Sequence, residues 1–135
     1  MNEYFEKLRG IILPRLVSEH ATLVHEFPDL KIAILDTEIG KRTDYRGYLL
    51  GLDCAFDGPD QNSLVLDVSV RNFREARAQV DSADVSWGHP NAVVELELFS
   101  APVPLDEESL DVIASGLDRL LTEFRASARR GCPRH

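Results

Sequence analysis

Apolar residues along this chain recur first at helical spacing, then at alternate positions, and finally at helical spacing again. Phe5, Leu8, Ile12, Leu16, Leu23 and Phe27 form one stripe of helical period, which predicts an N-terminal helix. Asn2 is placed to cap it, and Glu3 and Glu6 suit the positive end of its dipole. Pro14 cannot donate to Gly10, so a kink or two shorter helices are expected. Phe27-Pro28-Asp29 ends the pattern. Lys31 to Glu38 then reads as a strand, followed by a polar loop from Gly40 to Asp44. Tyr45 to Phe56 is a second strand with Tyr48, Leu50, Leu52, Cys54 and Phe56 on one side. Gly47 and Gly51 share its other side with Asp53, the signature of a bend or a close backbone approach. Asp57 to Asn62 is a turn-rich loop. Leu64 to Arg71 is a third strand, pointing Leu64, Leu66, Val68 and Val70 inward and Asp67, Ser69 and Arg71 outward.

Between Asn72 and Val80 the run Glu75-Ala76-Arg77-Ala78-Gln79 favours a single short helical turn. Ala83 to Phe99 then reads as a hairpin closed by Gly88-His89-Pro90-Asn91. A register set from that turn pairs Trp87 with Ala92, Val85 with Val94 and Ala83 with Leu96 on an apolar side. The other side then pairs Ser86 with Val93, Asp84 with Glu95 and Ser82 with Glu97. Like charges directly opposite are unfavourable in a sheet, so that side is wet or meets a cationic partner. Ser100 to Pro104 is an extended connection. The closing helix starts at the N-cap Asp106, with Leu105 and Leu110 forming a hydrophobic staple. Leu110, Ile113, Leu117, Leu120, Leu121 and Phe124 are its buried stripe, Arg125, Arg129 and Arg130 suit its negative end, and Gly131 stops it.

The resulting class is α+β: an antiparallel sheet of about five strands in the order α-β-β-β-(short α)-β-β-α, with both terminal helices on one face. The chain reads as one domain over residues 1–135, ordered over about 3–130, with 131–135 as a tail. The opposite sheet face faces water and carries Asp53, Asp67, Asp84, Glu95 and Glu97.

Charge sharpens that picture. The net charge is −8, and no Lys or Arg lies between Arg77 and Arg119, an interval with nine acidic residues. Elsewhere 15 basic residues face 14 acidic ones, so the whole surplus sits in the hairpin and the start of the last helix. Nucleic acid and anionic membrane are poor partners for such a surface. No apolar run reaches the ~20 residues that span a bilayer, and the N-terminus lacks a signal-peptide core. A cytoplasmic location is the expectation. Cys54 and Cys132 fit neither a disulfide framework nor a CxxC motif.

Catalytic signatures are missing: the sequence holds no GxSxG, Walker loop, GxGxxG or HExxH. Gly40-Lys41-Arg42-Thr43 lacks the first glycine of a phosphate loop, Leu35 standing in its place. His20 and His25 are five apart and do not share a helix face as a zinc pair does. His89 reads as a solvated turn residue, Trp87 as core, and Asp57, Asp60 and Asn62 as a turn-rich loop without EF-hand spacing. No cofactor or metal is expected. The acidic face remains, as a solvated surface, a docking surface for a basic protein, or a carboxylate cluster for metal or acid-base chemistry.

The element order and acidic balance resemble the secretion-chaperone-like fold, small acidic proteins of order α-β-β-β-α-β-β-α. That resemblance implies a non-enzymatic protein that holds another polypeptide. Size and charge are also similar to those of small immunity proteins, which cover the basic active surface of a toxin. The leading expectation is a non-enzymatic, immunity- or inhibitor-type binding module, monomeric or homodimeric, whose acidic face covers a basic protein. A secretion-chaperone-like holder of an exported effector and a small metal-dependent hydrolase are the alternatives.

Overall fold

The computed structural model describes residues 2–56, 62–74, 76–88 and 93–131. The elements run α1 (Glu3–Glu26), β1 (Lys31–Lys41), β2 (Tyr45–Ala55), β3 (Ser63–Phe73), β4 (Ala78–Trp87), β5 (Val93–Glu97), β6 (Val103–Pro104) and α2 (Glu107–Arg130). The sheet is antiparallel in the order β1-β2-β3-β4-β5, and β6 pairs with the start of β4 beyond the end of β5. Pro104, which has no N–H to give a ladder, sits on that edge. Both helices pack on one face, α1 over β1 and β2, α2 over β3, β4 and β5. The α+β architecture with terminal helices is as the sequence implies. Among the described residues no helix is long and apolar enough to cross a membrane.

One local expectation is narrowed and one is corrected. Of the kink or division expected at Pro14, the division does not occur: the first helix runs as one element from Glu3 to Glu26. The short helix expected within Asn72–Val80 is absent among the described residues; Asn72 and Phe73 end β3, and Ala78 to Val80 begin β4. Helix propensity there is a fraction of a kcal/mol per residue. Burial of Ala78 and Val80 and pairing of β4 with β3 outweigh it. The order is therefore α-β-β-β-β-β-β-α, without the middle helix of the secretion-chaperone-like order. The turn residues His89, Pro90 and Asn91, the pairing partner Ala92, Asp57, Asp60, Cys132 and His135 lie outside the described residues.

Helix ends follow the sequence closely. Asn2 Oδ1 accepts from the backbone N–H of Tyr4 at 2.8 Å and Phe5 at 3.2 Å. Its side-chain amide also donates to the Ala76 carbonyl, tying α1 to the β3–β4 connection. Asp106 and Ser109 form a reciprocal capping box at the start of α2. Gly131 closes α2 at φ 79°, a backbone region costly for other residues.

The core combines the inward positions of β2 to β4 with the stripes of both helices. Within the α1 stripe, Glu19 occupies a buried position and is gripped by Arg125 of α2 through two bonds of 2.9 and 2.7 Å. Lys7 faces Glu107, Arg15 faces Asp118 and Arg129 faces Glu26, so the two helices run side by side in the same direction. Arg9 makes a two-bond contact with Asp36, whose carboxylate also accepts from the Tyr48 hydroxyl at 2.7 Å. These contacts pin α1 to β1 and β2 and leave it no freedom to cover the other sheet face.

Candidate functional site

The face without helices is set out in rows by the ladder registers. One row crosses five strands as Leu35, Gly51, Asp67, Asp84 and Glu97, each residue directly opposite the next. The neighbouring row reads Ala33, Asp53, Val65, Ser86 and Val94. Gly51 has a structural reason at its place. A Cβ there would collide with the Leu66 carbonyl oxygen across the ladder, as the expected close backbone approach implies.

Four of the five residues singled out in the sequence, Asp53, Asp67, Asp84 and Glu97, therefore share this face. Glu95 does not. In the hairpin, Trp87 pairs with Val93, Ser86 with Val94, Val85 with Leu96 and Asp84 with Glu97. The register shifts between Val85 and Ser86, leaving Glu95 as an extra, bulged residue. It turns to the helix side and accepts from Arg130 of α2 at 3.2 Å. The register expected from the turn is thus corrected, and Asp84 faces Glu97 rather than Glu95. A second bulge in β4, between the pairs Ser69–Ser82 and Val70–Val80, leaves Asp81 extra, held by Arg71 at 2.7 Å.

The electrostatics of the row follow from its neighbours. Asp67 Oδ1 accepts from the hydroxyls of Ser69 and Ser82, each at 2.9 Å. Among the described residues none of Asp53, Asp67, Asp84 and Glu97 has an ion pair. Partial burial, then the charges of Asp67 and Glu97, push the Asp84 carboxyl up to about 6. Burial also raises Asp53, against an opposing hydrogen bond from Ser63. Apolar side chains accompany the acids: Leu35, Leu49 and Val65 are half-buried at outward positions of β1, β2 and β3. The alternation of β3 alone marks Val65 as outward, which sequence reading passed over.

The raised Asp84 has a signed consequence. An Asp that ionises near pH ~4 in the unfolded chain and near 6 in the folded one leaves the native state holding more protons between those values. Stability contributed by its neutral form is complete below the unfolded value and is lost as pH rises through the folded one. Asp84→Asn should therefore raise stability at pH 7 by about 1–2 kcal/mol after solvent screening, with little change at pH 4. Urea denaturation at the two pH values reads this difference. A variant less stable than wild type at pH 7 would instead place Asp84 in a stabilising contact.

The two described histidines are structural or exposed. His20 donates from Nε2 to the Ile32 carbonyl at 2.8 Å, covering part of the free edge of β1, and His25 is exposed. Cys54 is buried in the core, where burial raises its thiol to about 11. Trp87 is buried, its ring tilted against Phe56 at 5.2 Å. Asn62 is buried, and its Oδ1 accepts from the Ser63 N–H at 2.9 Å. Among the described residues no group of three or more His, Cys, Asp or Glu side chains is arranged to hold a metal ion. Compared with protein-family models, curated proteins and solved structures, the chain matches none of them.

Proposed function

We propose that the protein is a non-enzymatic binding module of the immunity or inhibitor type, which covers a basic protein partner with the helix-free face of its sheet. The observation that carries this reading is the row Asp67, Asp84 and Glu97, three carboxylates on neighbouring strands with no cation beside them among the described residues. Lys or Arg side chains of a partner supply the missing charge, and Leu35, Leu49 and Val65 offer apolar area between the acids. Acidic steering speeds the encounter, and coverage of the partner's cationic surface displaces whatever that surface binds.

Asp84 makes the interaction sensitive to pH. It must give up its proton to meet a cation, so affinity should rise between pH 5 and 7. The test is capture of partners by the purified chain, followed by kinetics with a captured basic protein. Asp67→Asn with Glu97→Lys should slow association about tenfold or more at low salt and flatten its salt dependence. Glu95→Lys, on the helix side, should leave association unchanged. Unaltered kinetics in the double variant would reduce the row to a solvated surface. Capture of an exported polypeptide without a basic surface would favour the chaperone-like alternative.

A further inference from the structure

The opposite charge collects at one end of the sheet. We propose that this end, where the β1–β2 and β3–β4 connections meet, is a binding site for a phosphorylated small molecule. A cavity of about 420 Å³ opens there, lined among the described residues by Lys41, Arg42, Arg46, Arg74 and Asn72 with one carboxylate, Asp44. Pockets of this volume lie in the range that takes small ligands. In a chain of net charge −8, four cations around one cavity run against the overall balance.

Their arrangement is unfavourable without an anion. Lys41 stands directly opposite Arg46 in the β1–β2 ladder, a like-charged pair that destabilises a sheet. Arg46 has only a distant partner, Glu38 at 3.8 Å, and Lys41, Arg42 and Arg74 have no ion pair among the described residues. Below them lies Asn72, nine-tenths buried between Arg46 of β2 and Ala78 of β4. Its Oδ1 is buried with no hydrogen-bond partner, and its amide makes no side-chain hydrogen bond among the described residues. Buried polar atoms are ordinarily paired, so this oxygen is an unfilled acceptor lining a cationic cavity, and it calls for a donor such as a ligand hydroxyl.

Phosphate fits that set. Arginine forks grip phosphate oxygens two at a time, lysine adds a point charge, and a hydroxyl on the organic part of a phosphate ester can donate to Asn72 Oδ1. The site is concave and small, and the acidic sheet face repels a long polyanion, so a discrete phosphate monoester is favoured over nucleic acid.

The test titrates the full chain with inorganic phosphate and glycerol 3-phosphate at fixed ionic strength, by calorimetry and thermal melting. Saturable binding of either probe is expected, and tighter binding of the ester would mark a phosphorylated metabolite as the source. Arg42 and Arg74 are exposed, so Arg42→Ala with Arg74→Ala should melt like wild type without phosphate. It should bind both probes about tenfold or more weakly. Lys31→Ala, a cation at the other end of β1, should bind normally. The proposal is overturned if phosphate raises the melting temperature no more than chloride does, or if the double variant binds like wild type. It is also overturned if a short single-stranded RNA binds more tightly than both probes and loses its binding in the same variant.

Discussion

Leu117→Asp is expected to abolish folded, soluble protein. Leu117 is fully buried at the middle of α2, in one core with Ile113, Leu120, Phe124 and the inward residues of β3 and β4. Removing its side chain alone costs about 3–5 kcal/mol, the range for emptying a core leucine. The aspartate adds a charge for which the core has no partner, at several kcal/mol more. Together these approach the whole stability of a domain this size, about 5–15 kcal/mol. The measurements are the soluble fraction on expression and the near-ultraviolet circular dichroism of any recovered protein. Val112→Asp is the control: Val112 lies on the same helix but is 43% exposed, so that variant should fold normally. A Leu117→Asp protein that melts like wild type would detach α2 from the core.

The parts of the fold legible in the sequence are those in which one local rule governs. The α2 stripe is legible because Leu110, Ile113, Leu117, Leu120, Leu121 and Phe124 repeat at helical period, and all six are buried. The Asp106 cap and the Leu105–Leu110 staple are local too, and both staple residues are buried. The inward face of β3 follows from strict alternation, and that of β2 from the same period interrupted by the buried Gly47 and Gly51.

What stayed hidden depends on partners distant in the chain or on a change of phase. Glu19 and Arg125 lie 106 residues apart, and neither position signals the other. The bulges carry a faint signal that a turn-based register ignores. Buried positions of β4 fall at 78 and 80 and then at 83, 85 and 87, an odd step that requires one extra residue near Asp81. In β5 the step from Val93 to Leu96 does the same and turns Glu95 away from the acidic row. The candidate site was therefore legible as a face carrying acids, but its membership depended on a bulge with no glycine or proline to announce it. The basic cavity was less visible still, because its cations come from two connections brought together only by strand pairing.

Trp87→Ala should destabilise the protein by about 3–5 kcal/mol, the usual cost of emptying a large aromatic site in a core. Trp87 is the largest fully buried side chain, with Leu64 opposite it in β3, Val93 opposite it in β5 and Phe56 against its ring. No neighbour can collapse into its volume without breaking the strand ladders on both sides, so the upper half of the range is expected. Urea denaturation followed by far-ultraviolet circular dichroism measures the loss, because the substitution removes the chain's single tryptophan and with it the fluorescence signal. Trp87→Phe keeps most of the ring contact and should lose clearly less. This result bears on function through the pleat. Neighbouring residues of a strand point to opposite faces, so a buried Trp87 puts Ser86 and Asp84 on the helix-free side. A loss below about 1 kcal/mol would mean that the ring is exposed and the strand inverted. Asp84 would then lie under α2, and the acidic row would no longer be a surface for any partner.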